Sequence, residues 1–290
     1  MIKEKKFLIP CLVSLICLVS LICLGSVVNV KADSMTSNNL KENYYSEITY
    51  YTGDELKNIQ PYNVESEDGV LVGAVEKTVY VSEKKDDNGN IIDSHLMNED
   101  EVKEYKKLLS TRDSSHLGND STSRGRLNIL IQLFREGSEY RAYGNAKWAI
   151  GAGTAEQAPA SGRDFVALTW GGGNNLVQTS KSLSVTRHNG SAMSYSQAKA
   201  DSYKGYCWSF DESTNSGDME SLQAIVKIKR VSSALKNMQT SMKFTYIHTY
   251  QSTTGSISFS GGTAGSAAGV TLSSTSKKWQ IEVDVPGIVY

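Results

Sequence analysis

The segment Lys278-Trp279-Gln280-Ile281-Glu282-Val283-Asp284-Val285 puts Trp279, Ile281, Val283 and Val285 on one side of an extended chain, with Lys278, Gln280, Glu282 and Asp284 on the other. Successive side chains of a strand point to opposite faces, so this alternation predicts a strand with one buried and one solvated face. The same period runs through Leu127, Ile129, Ile131 and Leu133, which alternate with Asn128, Leu130, Gln132 and Phe134. Here the second face is half apolar and should be partly covered. Glu136-Gly137-Ser138 then returns the chain through Tyr140 to Trp148 as a hairpin partner. Further strands are predicted at Phe165 to Trp170, Ser182 to Arg187, Tyr206 to Phe210, Leu222 to Val231, Met242 to Tyr250, Ser256 to Ser260 and Val270 to Ser273. Short alternating segments separated by Gly, Ser and Asn clusters predict a mainly β protein, with an antiparallel β-sandwich or related barrel as its C-terminal domain.

Upstream the pattern changes. Residues 110–123 are polar but for Leu117, which predicts a linker between an acidic N-terminal region (33–109) and the all-β domain (124–290). Residues 33–122 hold 9 basic and 19 acidic side chains, whereas 123–290 hold 17 and 11. Opposite signs point to contact between the two parts or to a basic face for an anionic partner. All four tryptophans, Trp148, Trp170, Trp208 and Trp279, follow the linker, so the main core should too. The acidic region reads as a small mixed segment. Val75 to Val81 predicts a strand, and Asn88-Gly89 between Asp87 and Asn90 a hairpin turn. Asn98 with Glu101 three residues on makes a capping pattern, and Val102, Tyr105 and Leu109 the apolar stripe of one helix ending near Arg112.

The N-terminus has the form of an export signal. Lys3, Lys5 and Lys6 lead into an apolar run from Phe7 to Val28, closed by Val30, Lys31 and Ala32. A basic start, an apolar stretch and small residues before a cut predict removal of residues 1–32 as a signal peptide. Retention as an anchor is the alternative, since a run of ~20 apolar residues can also span a bilayer. Ile16 and Ile22 before Cys17 and Cys23 are too bulky for a lipoprotein site. Cys11, Cys17 and Cys23 leave with the signal and Cys207 alone remains, so stability must come from a core without disulfides. A secreted, extracellular, bacterial protein is the reading that fits.

No catalytic or metal-binding constellation emerges, and no cofactor is implied. Aligning Gly89 with the glycine of a calcium loop puts Lys84 and His95 where carboxylates are required. None of His95, His116, His188 and His248 sits in a His-Glu-x-x-His or Gly-x-Ser-x-Gly context. His248 alternates with Phe244, Tyr246 and Tyr250, as a hydrogen-bonded, half-buried residue would. Cys207, between Tyr206 and Trp208, reads as a small apolar core residue. The scattered basic residues, Lys227, Lys229 and Arg230 apart, give no nucleic-acid footprint.

Two stretches remain as candidate sites. Trp170-Gly171-Gly172-Gly173-Asn174 lacks the following helix that a phosphate cradle needs, but a glycine loop beside a tryptophan can line a groove for a glycan or peptide. Residues 250–276 are rich in Ser, Thr, Gly and Ala, with Ile257, Phe259, Val270 and Leu272 spaced at two. Alternating small polar and apolar residues are what a membrane-inserting β-hairpin needs, and equally what a soluble surface hairpin shows.

Three readings follow. The first is a secreted, non-enzymatic protein whose β-domain binds a cell-surface glycan, an envelope polymer or a protein. The second is a pore-forming or membrane-damaging protein that inserts the Gly/Ser-rich hairpin, with the acidic region as restraint. The third is an enzyme whose residues meet only in space, such as Asp211 or Glu212 beside Tyr and His. For export, the expected outcome is a mature chain that begins at Asp33 and carries no lipid. Intact-mass measurement of the culture supernatant checks this, and full-length chain retained in membranes would refute it.

Overall fold

The computed structural model describes residues 28–32, 44–51, 56, 69–110, 122–149, 162–212, 219–235, 237–250, 255–262, 265–274 and 277–290. Strands β1 (Val28–Ala32), β2 (Tyr44–Tyr51), β3 (Val70–Lys85) and β4 (Ile91–Leu96) precede helix α1 (Glu99–Ser110). Then follow β5 (Thr122–Glu136), β6 (Glu139–Trp148), β7 (Arg163–Trp170), β8 (Leu176–Arg187), β9 (Tyr195–Asp201), β10 (Gly205–Asp211) and β11 (Met219–Arg230). The chain closes with β12 (Gln239–Tyr250), β13 (Gly255–Gly261), β14 (Ala268–Ser274) and β15 (Lys277–Val289).

These form an antiparallel sandwich. One sheet has eight strands in the order β1-β2-β3-β5-β6-β11-β8, with β4 added to β3, and the facing sheet runs β15-β12-β7-β10-β9. The inner faces meet in one core containing Leu127, Ile129, Ile131 and Leu133 of β5, Val166, Leu168 and Trp170 of β7, and Phe244 and Tyr246 of β12. Trp279, Ile281, Val283 and Val285 complete it from β15, so the alternation in the last strand does face the core. All four tryptophans lie in this cluster.

The division at 110–123 does not separate two sheets. β3 pairs with β5 from Val70↔Arg135 to Lys84↔Thr122, and Ile48, Val75, Val79 and Val81 of the acidic part lie in the same core as β5. Ladder bonds come from the backbone, so the polar side chains of Thr122 and Ser123 do not stop these residues pairing with Lys84 and Glu83. Residues 111–121 lie outside the described residues, as do 1–27 of the expected signal. The expected cleavage after Ala32 would remove β1 and leave β2 as the sheet edge.

The local signals resolve as hydrogen bonds. Asn98 Oδ1 accepts from the N–H groups of Asp100 (3.0 Å) and Glu101 (3.1 Å), while Glu101 Oε2 accepts from the Asn98 N–H (2.8 Å), a reciprocal cap. Val102 and Tyr105 of α1 then close a small cluster with Met97 and Tyr80 on the outer face of the large sheet. At the β3–β4 turn, Gly89 adopts φ 81°, and the Asp86 carboxylate accepts from the backbone of Asn88 and Asn90. Strands β1, β2 and β9 are additions to the sequence-based set. Among the described residues, no helix is long and apolar enough to cross a membrane.

The sheets come close where a glycine faces an aromatic ring. A Cβ on Gly144 of β6 would stand 2.2 Å from Phe244 Cδ2. Gly144→Ala is therefore expected to cost about 1–3 kcal/mol of stability by overpacking. Phe244→Leu in the same chain should recover part of the loss in urea denaturation; an unchanged midpoint for the single variant would show that the sheets part there without strain.

Candidate functional site

Strands β12 and β15 pair from Gln239↔Val289 to Tyr250↔Lys277, and at that end the chain leaves β12 and returns to β15. Between these points lies a separate two-stranded sheet, β13–β14, paired from Gly255↔Ser274 to Gly261↔Ala268. It shares no strand ladder with either large sheet. Instead it lies flat on the outer face of the five-stranded sheet. Ile257 faces Leu272 and Phe259 faces Val270 across the hairpin, which gives it one apolar face. That face packs on Phe165 and Ala167 of β7, Cys207 of β10, Ile247 of β12 and Ala198 of β9. Ser256, Ser258, Ser260 and Ser273 point outward and are exposed.

The structure brings the two sequence candidates together at the hairpin tip. The Gly173 N–H donates to Gly262 O (2.8 Å), and the Gly265 N–H to Gln239 O (3.0 Å). Thr169 Oγ1 donates to Ala268 O (2.8 Å). Gly172, Gly173, Gly261, Gly262 and Gly265 all have φ between 59° and 93°, which permits this close backbone approach. Along the arms, the side chains of Gln280 and Lys278 donate to Val270 O and Leu272 O. Trp170 itself is 0% exposed and lies in the inter-sheet core, because residues 166, 168 and 170 share the inner face of β7. It offers no ring face to a ligand, which corrects the stacking role expected of it. Gly171 and Gly172 are buried as well, and of the five residues only Asn174 is exposed.

One cluster of groups capable of chemistry is enclosed, whereas His95, held between Asp93 (2.7 Å) and Glu101 (3.0 Å), is partly exposed and His188 is exposed. His248 Nδ1 lies 2.8 Å from Asp164 Oδ1, and Tyr246 Oη donates to Asp164 Oδ2. Asp164, Tyr246 and His248 are each 0% exposed. The His248 ring sits 4.9 Å from that of Trp279, which is stacked on Tyr246 and donates its Nε1 hydrogen to Ser94 Oγ. His248 is thus fully buried rather than half-buried. Burial first, then Asp164 and Glu212, push the Tyr246 phenol well above its ordinary pKa. Glu212 is buried too, its Oε1 accepting from the Met219 N–H at 2.6 Å. Cys207 has no exposed surface, and burial pushes its thiol pKa up, away from thiolate. Among the described residues, no three His, Cys, Asp or Glu side chains converge as metal ligands. The arrangement seats an apolar hairpin on the outer face of the sheet and keeps Asp164, Tyr246, His248 and Cys207 from solvent.

No protein-family model matches the sequence, and no curated relative matches it. Solved structures that resemble the chain include a Fap1 fimbrial structure, from work on pH-induced modulation of Streptococcus parasanguinis adhesion, with 12% identity over 55% of this chain and 80% of that one at a TM-score of 0.28. The S. aureus collagen adhesin matches at 8% identity over 74% and 92%, TM-score 0.28, and the C-terminal domain of the Streptococcus agalactiae antigen I/II polypeptide BspA at 7% over 69% and 94%, TM-score 0.28. These are β domains of bacterial proteins, adhesins among them, and at such scores none assigns a site or partner to this chain.

The buried carboxylate carries a stability prediction. Asp164→Ala leaves His248 and Tyr246 buried without their acceptor and should cost about 3–5 kcal/mol. Asp164→Asn, which keeps one acceptor oxygen, should cost less. Denaturant titration checks both, and equal small losses would show that water already reaches the cluster.

Proposed function

We propose that this is an exported bacterial protein that acts at a cell surface or in the envelope by binding and not by catalysis, without a cofactor. One observation carries the reading: Asp164, His248 and Cys207, the groups best suited to chemistry, all lie at 0% exposure, between the sheets or under the hairpin. A substrate has no route to them, whereas a binding protein needs only its outer surface. Contact then falls to exposed side chains on the sandwich edges. Tyr195 and Tyr203, 46% and 40% exposed on β9 and the turn after it, are amphipathic anchors of the kind that dominate binding energy. Asn174 beside the glycine loop is a further polar contact, for a glycan, an envelope polymer or a surface protein.

The test uses labelled mature protein on intact cells, cell-wall polymer and immobilised glycans. Saturable binding is expected, weakened at least about tenfold by Tyr195→Ala with Tyr203→Ala, a loss typical of anchor residues. Absence of saturable binding on all three surfaces, or turnover of a substrate, would overturn the reading.

A further inference from the structure

We propose that β13–β14 is a membrane-inserting hairpin stored against its own sandwich, and that in a bilayer it swings out to prolong the β12–β15 pair as one continuous ribbon. The proposal rests on the surface reading above only for bringing the protein to a membrane.

Charge is the first argument. Residues 251–276 contain no Asp, Glu, Lys, Arg or His, in a chain that is 21% charged. Solvated surfaces are normally studded with charges of both signs, and the docked hairpin turns only serines, threonines and backbone outward. A stretch with no charge on either face can enter hydrocarbon without the cost of burying one, and the face that would meet lipid, Ile257, Phe259, Val270 and Leu272, is wholly apolar.

Topology is the second. The hairpin follows the β12–β15 pair in the chain, and its register, Gly255↔Ser274, is offset by two residues from Tyr250↔Lys277. An even offset keeps the parity of the faces, so a bulge in the ribbon lets it extend without any strand exchanging partners. β13 and β14 have seven residues each, short of the ~9–11 that a tilted spanning strand needs. Counted from the end of the β12–β15 pair, the uncharged arms to either side of the tip do reach that length. Ile257, Phe259, Val270 and Leu272 then move from the sheet to lipid, and Ser256, Ser258, Ser260 and Thr271 face water. A lone hairpin leaves two unpaired edges, which hydrocarbon does not tolerate, so several copies must close a barrel.

The hold on the hairpin is the third. Bonds at its tip and arms hold it, and among the described residues no ladder ties it to the sandwich. Beneath it the apolar patch of Phe165, Ala167, Cys207 and Ile247 lies among the hydroxyls of Thr169, Ser209, Thr245 and Thr249. Thr245 Oγ1 is buried without a partner and would gain water on release.

Cys207 lies under the hairpin and is the only cysteine after residue 32, so its thiol reports the position of the hairpin. The experiment incubates the full mature chain with a maleimide, alone and with phosphatidylcholine–cholesterol vesicles holding a trapped dye. The expected result is slow labelling in buffer, labelling at least about tenfold faster with vesicles, and dye release. A second chain carries Thr169→Cys and Ala268→Cys, neighbouring positions where the Thr169 hydroxyl meets the Ala268 backbone carbonyl at 2.8 Å, with Cys207→Ser, and loss of free thiol confirms the cross-link before use. Its disulfide should block release, and reduction should restore it, so each sample is its own control for folding. Sealed vesicles with a shielded thiol, or release indifferent to the disulfide, would overturn the proposal. Cell binding separates the two readings: saturable binding with sealed vesicles leaves the surface reading standing and the hairpin fallen, and leakage without saturable binding does the reverse.

Discussion

Phe244 rests on the backbone of Gly144, and the distance between the two sheets at that point is set by the absence of a side chain on residue 144. A second glycine does the same towards the edge, where a Cβ on Gly73 would stand 2.5 Å from Val285 Cγ1. These contacts bring β12 and β15 close enough to β6 and β3 for dense packing of the aromatic layer of Tyr246, His248 and Trp279. Interiors packed to this density transmit strain and leave no room for water. An ionisable group in such a layer needs its partner in place from the outset, and Asp164 supplies one for both Tyr246 and His248. The enclosure of Asp164, Tyr246 and His248 is therefore a consequence of how closely the sheets meet.

The two faces of β12 do different work. Its inner face, with Phe244, Tyr246 and His248, is committed to the core, whereas its outer face contributes Ile247 to the patch under the hairpin. Because successive side chains of a strand alternate, events on the outer face need not disturb the inner one. Local opening follows the weakest connections, and a two-stranded sheet without ladder bonds to its support belongs at the low-stability end of the structure. The sandwich can thus remain folded whichever position the hairpin takes.

Much of the architecture is legible because it rests on local patterns. Period-two alternation marks β5, β12 and β15, the Asn98 and Glu101 pair marks the start of α1, and Asn88-Gly89 marks the β3–β4 turn. What local patterns do not carry is partnership at long range. The polar stretch 110–123 reads as a boundary, yet β3 and β5 on either side of it are neighbours, since pairing depends on backbone that composition does not describe. Strand β9 is missed because Tyr195–Asp201 lies at an edge with most side chains exposed, and exposure on both faces erases alternation. Trp170 looks accessible beside three glycines, but parity with Val166 and Leu168 already puts it on the inner face. Asp164 shares that parity, and a carboxylate in register with apolar neighbours was the one sequence sign of a buried polar cluster. Nothing in the sequence says that Gly173 and Gly262 meet.

The balance between a stored and an extended hairpin turns on the backbone more than on the apolar side chains. Burying Ile257, Phe259, Val270 and Leu272 is worth on the order of 1.5–3 kcal/mol each whether the covering surface is the β7–β10–β12 face or hydrocarbon, so that term favours either position over water without choosing between them. The backbone does choose. On the sandwich, the outer edges of β13 and β14 can bond to water, and the few bonds at the tip add to this. In hydrocarbon an unpaired edge group costs several kcal/mol, so a single extended hairpin is unfavourable, and closure with neighbouring copies removes the penalty altogether. On the proposed mechanism, storage on the sandwich is thus the stable form of an isolated chain, and extension would become favourable only where a membrane collects many chains.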